Sequence, residues 1–169
     1  MEITRTLGLP VGTVAPDFEL PRESNDLVRL SSLIGERPVL LAFYSADFGM
    51  MCSVEVKAFK QYYERFRRLC TLLPISTNTT YSHAAYRAAL DLPFSLLSDN
   101  DTRVCTLYNL MPDRSDDAYG YLEGGSSYRA VFIIDRKGII RYSWAPENPS
   151  LEPDYDELLE FLEMLAKEK

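Results

Sequence analysis

Unbroken apolar runs alternate along the chain with stretches whose apolar residues recur every three or four positions, the pattern of buried strands interleaved with amphipathic helices. Val39–Tyr44 and Thr71–Ser76 are apolar runs and predict buried strands. Between them Phe59, Tyr62, Phe66 and Leu69 mark one face of a helix that the pattern begins at Cys52 and ends at Leu69. Glu55 lies in its first turn and Arg65, Arg67 and Arg68 in its last, matching the helix dipole at both ends. Asn78 to Ser82 offers capping side chains for a short helix over His83 to Leu90. Leu92–Phe94 with Leu96 and Leu97 predicts a brief strand, after which Ser98 and Asp99 cap a helix carrying Val104, Cys105 and Tyr108.

The flanks follow the same logic. Residues 1–16 read as a leader. Asp17–Leu20 and Leu27–Leu30 predict a hairpin with a loose loop, and Ser31–Gly35 a helical turn. Met111–Ser127 is polar and rich in Gly and Asp, which predicts a long loop of functional or mobile character. Tyr128–Asp135 and Ile139–Trp144 pair across Arg136–Gly138 as a second hairpin. After a Pro-rich linker over 145–153, Tyr155, Leu158, Leu159, Leu162 and Leu165 form the stripe of a closing helix. The order predicts an α/β fold with an N-terminal β-hairpin extension and a mixed central sheet flanked by helices, one domain over 1–169.

Charge and cysteine usage narrow the function. With 25 acidic against 18 basic side chains the net charge is −7, which argues against a nucleic-acid partner. No stretch approaches the roughly 18 apolar residues of a membrane span, and the first residues lack the pattern of a secretory signal, so a cytoplasmic protein is expected. Cys52, Cys70 and Cys105 are widely spaced, without Cys-x-x-Cys, and His83 is the only histidine. A disulfide framework, a zinc site and other metal centres are therefore not expected, nor is a cofactor. Thiol chemistry remains.

Cys52 is its best carrier. It falls in the first turn of a helix leaving the end of a buried strand, where free N–H groups and the positive end of the dipole favour thiolate over thiol. That term is worth roughly 0.3–2 kcal/mol, and a charge-assisted hydrogen bond from an arginine would add roughly 1.5–3 kcal/mol. Cys70, at the far end of the same helix and roughly 27 Å away along a straight axis, reads as structural. Cys105 is either a packing thiol or a partner reached through local unfolding. His83 reads as a helix-surface or capping histidine, with no orienting partner for a Cys–His hydrolase.

These residues resemble the peroxiredoxins, the alkyl hydroperoxide reductase/thiol-specific antioxidant family. Gly12-Thr-Val-Ala-Pro-Asp-Phe18 is similar to the family's opening Gly-x-x-Ala-Pro-x-Phe. Phe43-Tyr44 with Phe48, Cys52 and Glu55 resembles its Pro-x-x-x-Thr-x-x-Cys region, and Arg129–Asp135 with Gly138 and Ile140-Arg141 resembles the strand that presents its arginine. Leu97-Ser-Asp99 with Val104-Cys105 is similar to the bacterioferritin-comigratory branch. The resemblance implies a thioredoxin-like fold and reduction of hydrogen peroxide and organic hydroperoxides through a sulfenic acid at Cys52. Arg129 would activate the thiol, Glu55 would orient Arg129, and the N–H groups of Met51 and Cys52 would cradle the peroxide. A thioredoxin- or glutaredoxin-like thiol donor, and a homodimer, are also implied. Three positions depart from the pattern: Ser45 replaces the family's proline, Gly49 its threonine, and Lys57 the branch's common second cysteine. Without a hydroxyl at Gly49 a slow peroxidase is expected, unless Ser45 or a water supplies the donor. The alternative is a redox sensor or binding scaffold of the same fold, and dithiol–disulfide exchange is disfavoured without Cys-x-x-Cys.

Overall fold

The computed structural model describes residues 7–112 and 125–168. Most of the expected 111–127 loop, and the start of the leader, lie outside them.

The fold is built outward from β3 (Val39–Phe43), whose five residues are all buried. It pairs in parallel with β4 (Thr71–Ser76) and antiparallel with β6 (Ala130–Ile134), giving a five-stranded mixed sheet in the order β5-β4-β3-β6-β7. Here β5 is Leu97–Ser98 and β7 is Ile140–Trp144. A strand covered on both faces reads as an unbroken apolar run, and its side chains alternate between two cores. Val39, Leu41 and Phe43 meet Phe18, Leu20, Leu30, Cys105 and Tyr108 on one face. Leu40, Ala42 and Tyr44 meet Cys52, Val56, Phe59, Phe66, Leu158, Leu159 and Leu162 on the other.

The second face is covered by α1 (Met50–Gln61), α2 (Tyr63–Leu69), α3 (Thr80–Leu90) and α5 (Tyr155–Lys167), whereas the short α4 (Arg103–Leu107) packs on the first. The predicted N-terminal hairpin is present as β1 (Glu19–Pro21) and β2 (Leu27–Arg29). Glu23 in its loop pairs with Arg87 of α3 and accepts the Leu96 N–H at 2.9 Å, tying the extension to the rest.

Two elements differ from expectation. The helix predicted over 52–69 starts at Met50 and breaks at Tyr62, although 50–69 contains no Gly or Pro. The break coincides with stacking of Tyr62 on Tyr155 of α5, at 6.0 Å and 25°. The strand predicted over Leu92–Leu97 shrinks to Leu97–Ser98, because Pro93 has no N–H and the Leu96 N–H goes to Glu23 instead of a neighbouring strand. Leu92, Phe94 and Leu96 keep their buried places as core residues.

Candidate active site

The parallel crossover from β3 through α1 and α2 to β4 sets the start of α1 beside the carboxyl end of β3. The link is tight: the Gly49 N–H bonds back to the Ala46 carbonyl at 3.2 Å, and Phe48 takes a left-handed φ of 64°. That conformation costs a side-chain-bearing residue roughly 1–2 kcal/mol. Packing of the Phe48 ring on Tyr86, 4.9 Å between centroids, offsets part of it. Gly49 is the N-cap, with an ordinary φ of −64° and no capping side chain. The first helical bond runs from Ser53 N–H to the Gly49 carbonyl at 2.8 Å. The N–H groups of Met50, Met51 and Cys52 therefore precede the hydrogen-bonded ladder, as the positions named for a peroxide cradle require.

Cys52 is the third residue of α1 and is buried. Burial pushes its thiol above the ordinary value, and the N–H groups of Ala46 and Ser45 pull it back. Glu55 pushes it up and Arg129 pulls it down. Desolvation and the Glu55 carboxylate oppose the dipole and the arginine, so the thiolate is favoured less than those two alone predict. The N–H donors at Ser45 and Ala46 leave no signal in the residue spacing. The first exists only because position 45 is not proline, which has no N–H.

Arg129 precedes β6 and, far from being a solvated edge charge, is 2 % exposed. Its Nε donates to Glu55 Oε2 at 2.9 Å, and Nη1 donates to the Pro149 and Leu151 carbonyls, both at 2.7 Å. The guanidinium carbon lies 5.9 Å from the Trp144 ring centroid. Nη2 of Arg129 and Oε1 of Glu55 are buried with no hydrogen-bond partner among the described residues. Burial pushes the Glu55 carboxyl up to about 7, against the pull of Arg129. A Cβ on Gly49 would stand 3.7 Å from the Cys52 sulfur, so a side-chain hydroxyl at this position would lie beside the thiol.

The other cysteines stand apart. Cys70 caps α2 in the core, its thiol pushed up to about 12 by burial. Cys105, weighed above as a resolving thiol, lies on the opposite face of the sheet from Cys52. It is fully buried, and burial together with the Asp99 carboxylate holds it protonated. A disulfide needs Cα atoms within about 7 Å, and the two thiols pack into different cores of the fold. Cys105→Ala is expected to leave single-turnover peroxide oxidation of Cys52 within about twofold of wild type, as a packing change in the other core. Stopped-flow comparison of the two proteins checks this.

His83 is also corrected. It is 0 % exposed and bonded to Asp47, and is neither on the surface nor a cap. The signal was present in the sequence, since His83 shares with Tyr86 the three-residue spacing of the buried face of α3.

A buried thiol on a thioredoxin-like sheet, in the first turn of a helix and near a buried cation, is the frame of the peroxiredoxins. The chain belongs to the AhpC/TSA family, whose pattern matches residues 11–143. It is 32% identical over 139 residues to the peroxiredoxin bcp of Coxiella burnetii, covering 82% of this chain and 89% of that one. It is 31% identical over 157 residues to a chloroplastic peroxiredoxin Q of Suaeda salsa, covering 91% and 68% of the two chains. Among solved structures the reduced 2-Cys peroxiredoxin of Plasmodium vivax superposes with a TM-score of 0.78 at 28% identity, over 92% of this chain and 81% of the other.

Proposed function

We propose that the protein is a thiol-dependent peroxidase that reduces hydrogen peroxide and organic hydroperoxides with Cys52. The observation that carries this reading is the convergence of Cys52, the unladdered N–H groups of α1 and the buried Arg129–Glu55 pair at one end of β3. Family membership supports it: peroxiredoxins act on peroxides with thiol reductants and often form dimers. The Cys52 thiolate attacks one peroxide oxygen, the O–O bond breaks, and the second oxygen leaves with its electron pair and takes up a proton. The product is a sulfenic acid at Cys52 and water or an alcohol. Positive charge from Arg129 and the N–H groups of Met51 and Cys52 stabilise the negative charge that develops. Glu55 holds the guanidinium in place.

Recycling falls to an external thiol. Attack on the sulfenic acid releases water and forms a mixed disulfide, and a second thiol then restores Cys52. A thioredoxin- or glutaredoxin-like donor is proposed, since Cys70 and Cys105 are buried and their thiols are pushed well above the ordinary value. Three unbridged cysteines suit a reducing, cytoplasmic setting. The exposed apolar side chains Phe48, Met50 and Tyr81 suit a homodimer. No described helix is long and apolar enough to cross a membrane.

Mass spectrometry of the reduced protein after one equivalent of peroxide is expected to find one added oxygen on Cys52 and none in Cys52→Ser. Oxidation at Cys52 no faster than that of a free thiol would refute the proposal.

A further inference from the structure

Asp47 and His83 take no part in the chemistry above, yet they are the most completely buried acid–base pair near it, with side chains 1 % and 0 % exposed. His83 Nε2 lies 2.9 Å from the Leu97 carbonyl, an oxygen that can only accept, so this nitrogen carries a proton. Nδ1 lies 2.8 Å from Asp47 Oδ2. The same carboxylate accepts Tyr44 Oη on Oδ1 at 2.6 Å and Ser82 Oγ on Oδ2 at 2.8 Å. A carboxyl group has about four acceptor sites, enough for three such partners. The Tyr44 hydroxyl also lies 3.4 Å from Nδ1, so one buried network joins Tyr44, Asp47, Ser82 and His83.

The pair stands behind the thiol. Asp47 belongs to the link between β3 and α1, whose Ser45 and Ala46 N–H groups face the Cys52 sulfur. That link is pinned on both sides of those donors. Ser45 Oγ donates to the Ser127 carbonyl at 2.7 Å, and the Asp47 N–H donates to Asn78 Oδ1 at 2.9 Å. The Tyr44 hydroxyl and the Asp47 carboxylate close the network on α3, where Tyr86 packs against both Tyr44 and Phe48. We propose that Asp47 and His83 form a buried hydrogen-bonded pair that positions the Ser45 and Ala46 N–H groups on the Cys52 sulfur. They are positioning residues, and the proposal rests on Cys52 being the reacting thiol.

With one histidine in the chain, selective ¹⁵N labelling of an untagged protein gives a single pair of ring nitrogens. In the wild type Nε2 is expected to carry a slowly exchanging proton, held on the Leu97 carbonyl. In Asp47→Asn that exchange is expected to quicken. In Asp47→Asn and His83→Asn the Cys52 thiolate absorbance is expected to titrate at higher pH. Alkylation and peroxide oxidation of Cys52 at neutral pH are expected to slow by about 10- to 100-fold, the scale of a donor displaced by about an ångström. Ser82→Ala, which removes one of three partners of Asp47, should shift them less. A bare or rapidly exchanging Nε2 in the wild type overturns the proposal, as does an unchanged Cys52 titration in folded variants. Should the variants not fold, the wild-type ring nitrogens still decide. A shifted titration with no peroxide reaction in any protein would reject the peroxidase reading and leave the pair standing.

Discussion

Gly49→Thr is expected to raise the rate at which hydrogen peroxide oxidises Cys52 by about 10²-fold, the usual worth of one preorganised donor at a developing negative charge. The backbone at Gly49 already has φ −64° and ψ 143°, which any residue can adopt. A Cβ there meets Cys52 Sγ at 3.7 Å, placing a hydroxyl where the leaving oxygen must be stabilised. It also meets the Ala46 carbonyl oxygen at 3.1 Å, so that carbonyl must yield by a few tenths of an ångström. Gly49→Ala makes the same contact without the hydroxyl and is the control. Stopped-flow single turnovers of the three proteins separate the effects. If Thr and Ala behave alike, the hydroxyl is not the missing element, and Ser45 with Ala46 already fills its role.

Arg129→Met is expected to cost about 3–5 kcal/mol of stability near neutral pH and above, the penalty for removing one partner of a buried pair. It leaves Glu55 buried without its cation and the Pro149 and Leu151 carbonyls without their donor. Peroxide oxidation of Cys52 should slow in the same variant, since the charge that pulls the thiol down is gone. Glu55→Gln behaves differently with pH. The folded protein binds the Glu55 proton more tightly than the unfolded chain, up to about 7 against 4.5, so unfolding releases it between these values. The favourable contribution is therefore complete below about pH 4.5 and is lost as pH rises through about 7. Gln cannot ionise. Relative to wild type, Glu55→Gln should gain up to about 3 kcal/mol between pH 4.5 and 8, since one pKa unit is 1.36 kcal/mol. Urea unfolding of wild type, Arg129→Met and Glu55→Gln at pH 5 and pH 8 tests both effects. A pH-independent difference between wild type and Glu55→Gln would show that Arg129 keeps Glu55 ionised throughout.

The sheet was legible because its strands are buried on both faces, so Val39–Phe43, Thr71–Ser76 and Ala130–Ile134 appear as apolar runs whatever lies around them. The closing helix was legible for a similar reason, its stripe of leucines facing one core. Contacts between elements distant in sequence were not. Leu96 N–H pairs with a carboxylate 73 residues earlier, and no local pattern announces that a strand will be shortened by it. Arg129 and Glu55, 74 residues apart, were joined only by family resemblance. Spacing alone would leave the arginine on the surface. His83 carried a local signal, the apolar face of α3, which its polarity hid. The desolvation of Cys52 had none, because it depends on the packing of Tyr44 and Val56 from other parts of the same core.

The sheet that separates Cys52 from Cys105 also governs what happens after oxidation. Where two thiols of one chain can meet, the lifetime of a sulfenic acid is a property of the fold. For a Cys52 sulfenic acid with Cys105 in the other core it would be a property of the surroundings, its lifetime rising with the scarcity of thiol donors. At low donor concentration a second peroxide competes for the same sulfur, and the irreversible sulfinic acid accumulates. The ratio of sulfinic acid to thiol at Cys52 would then record the history of the cell's reducing supply.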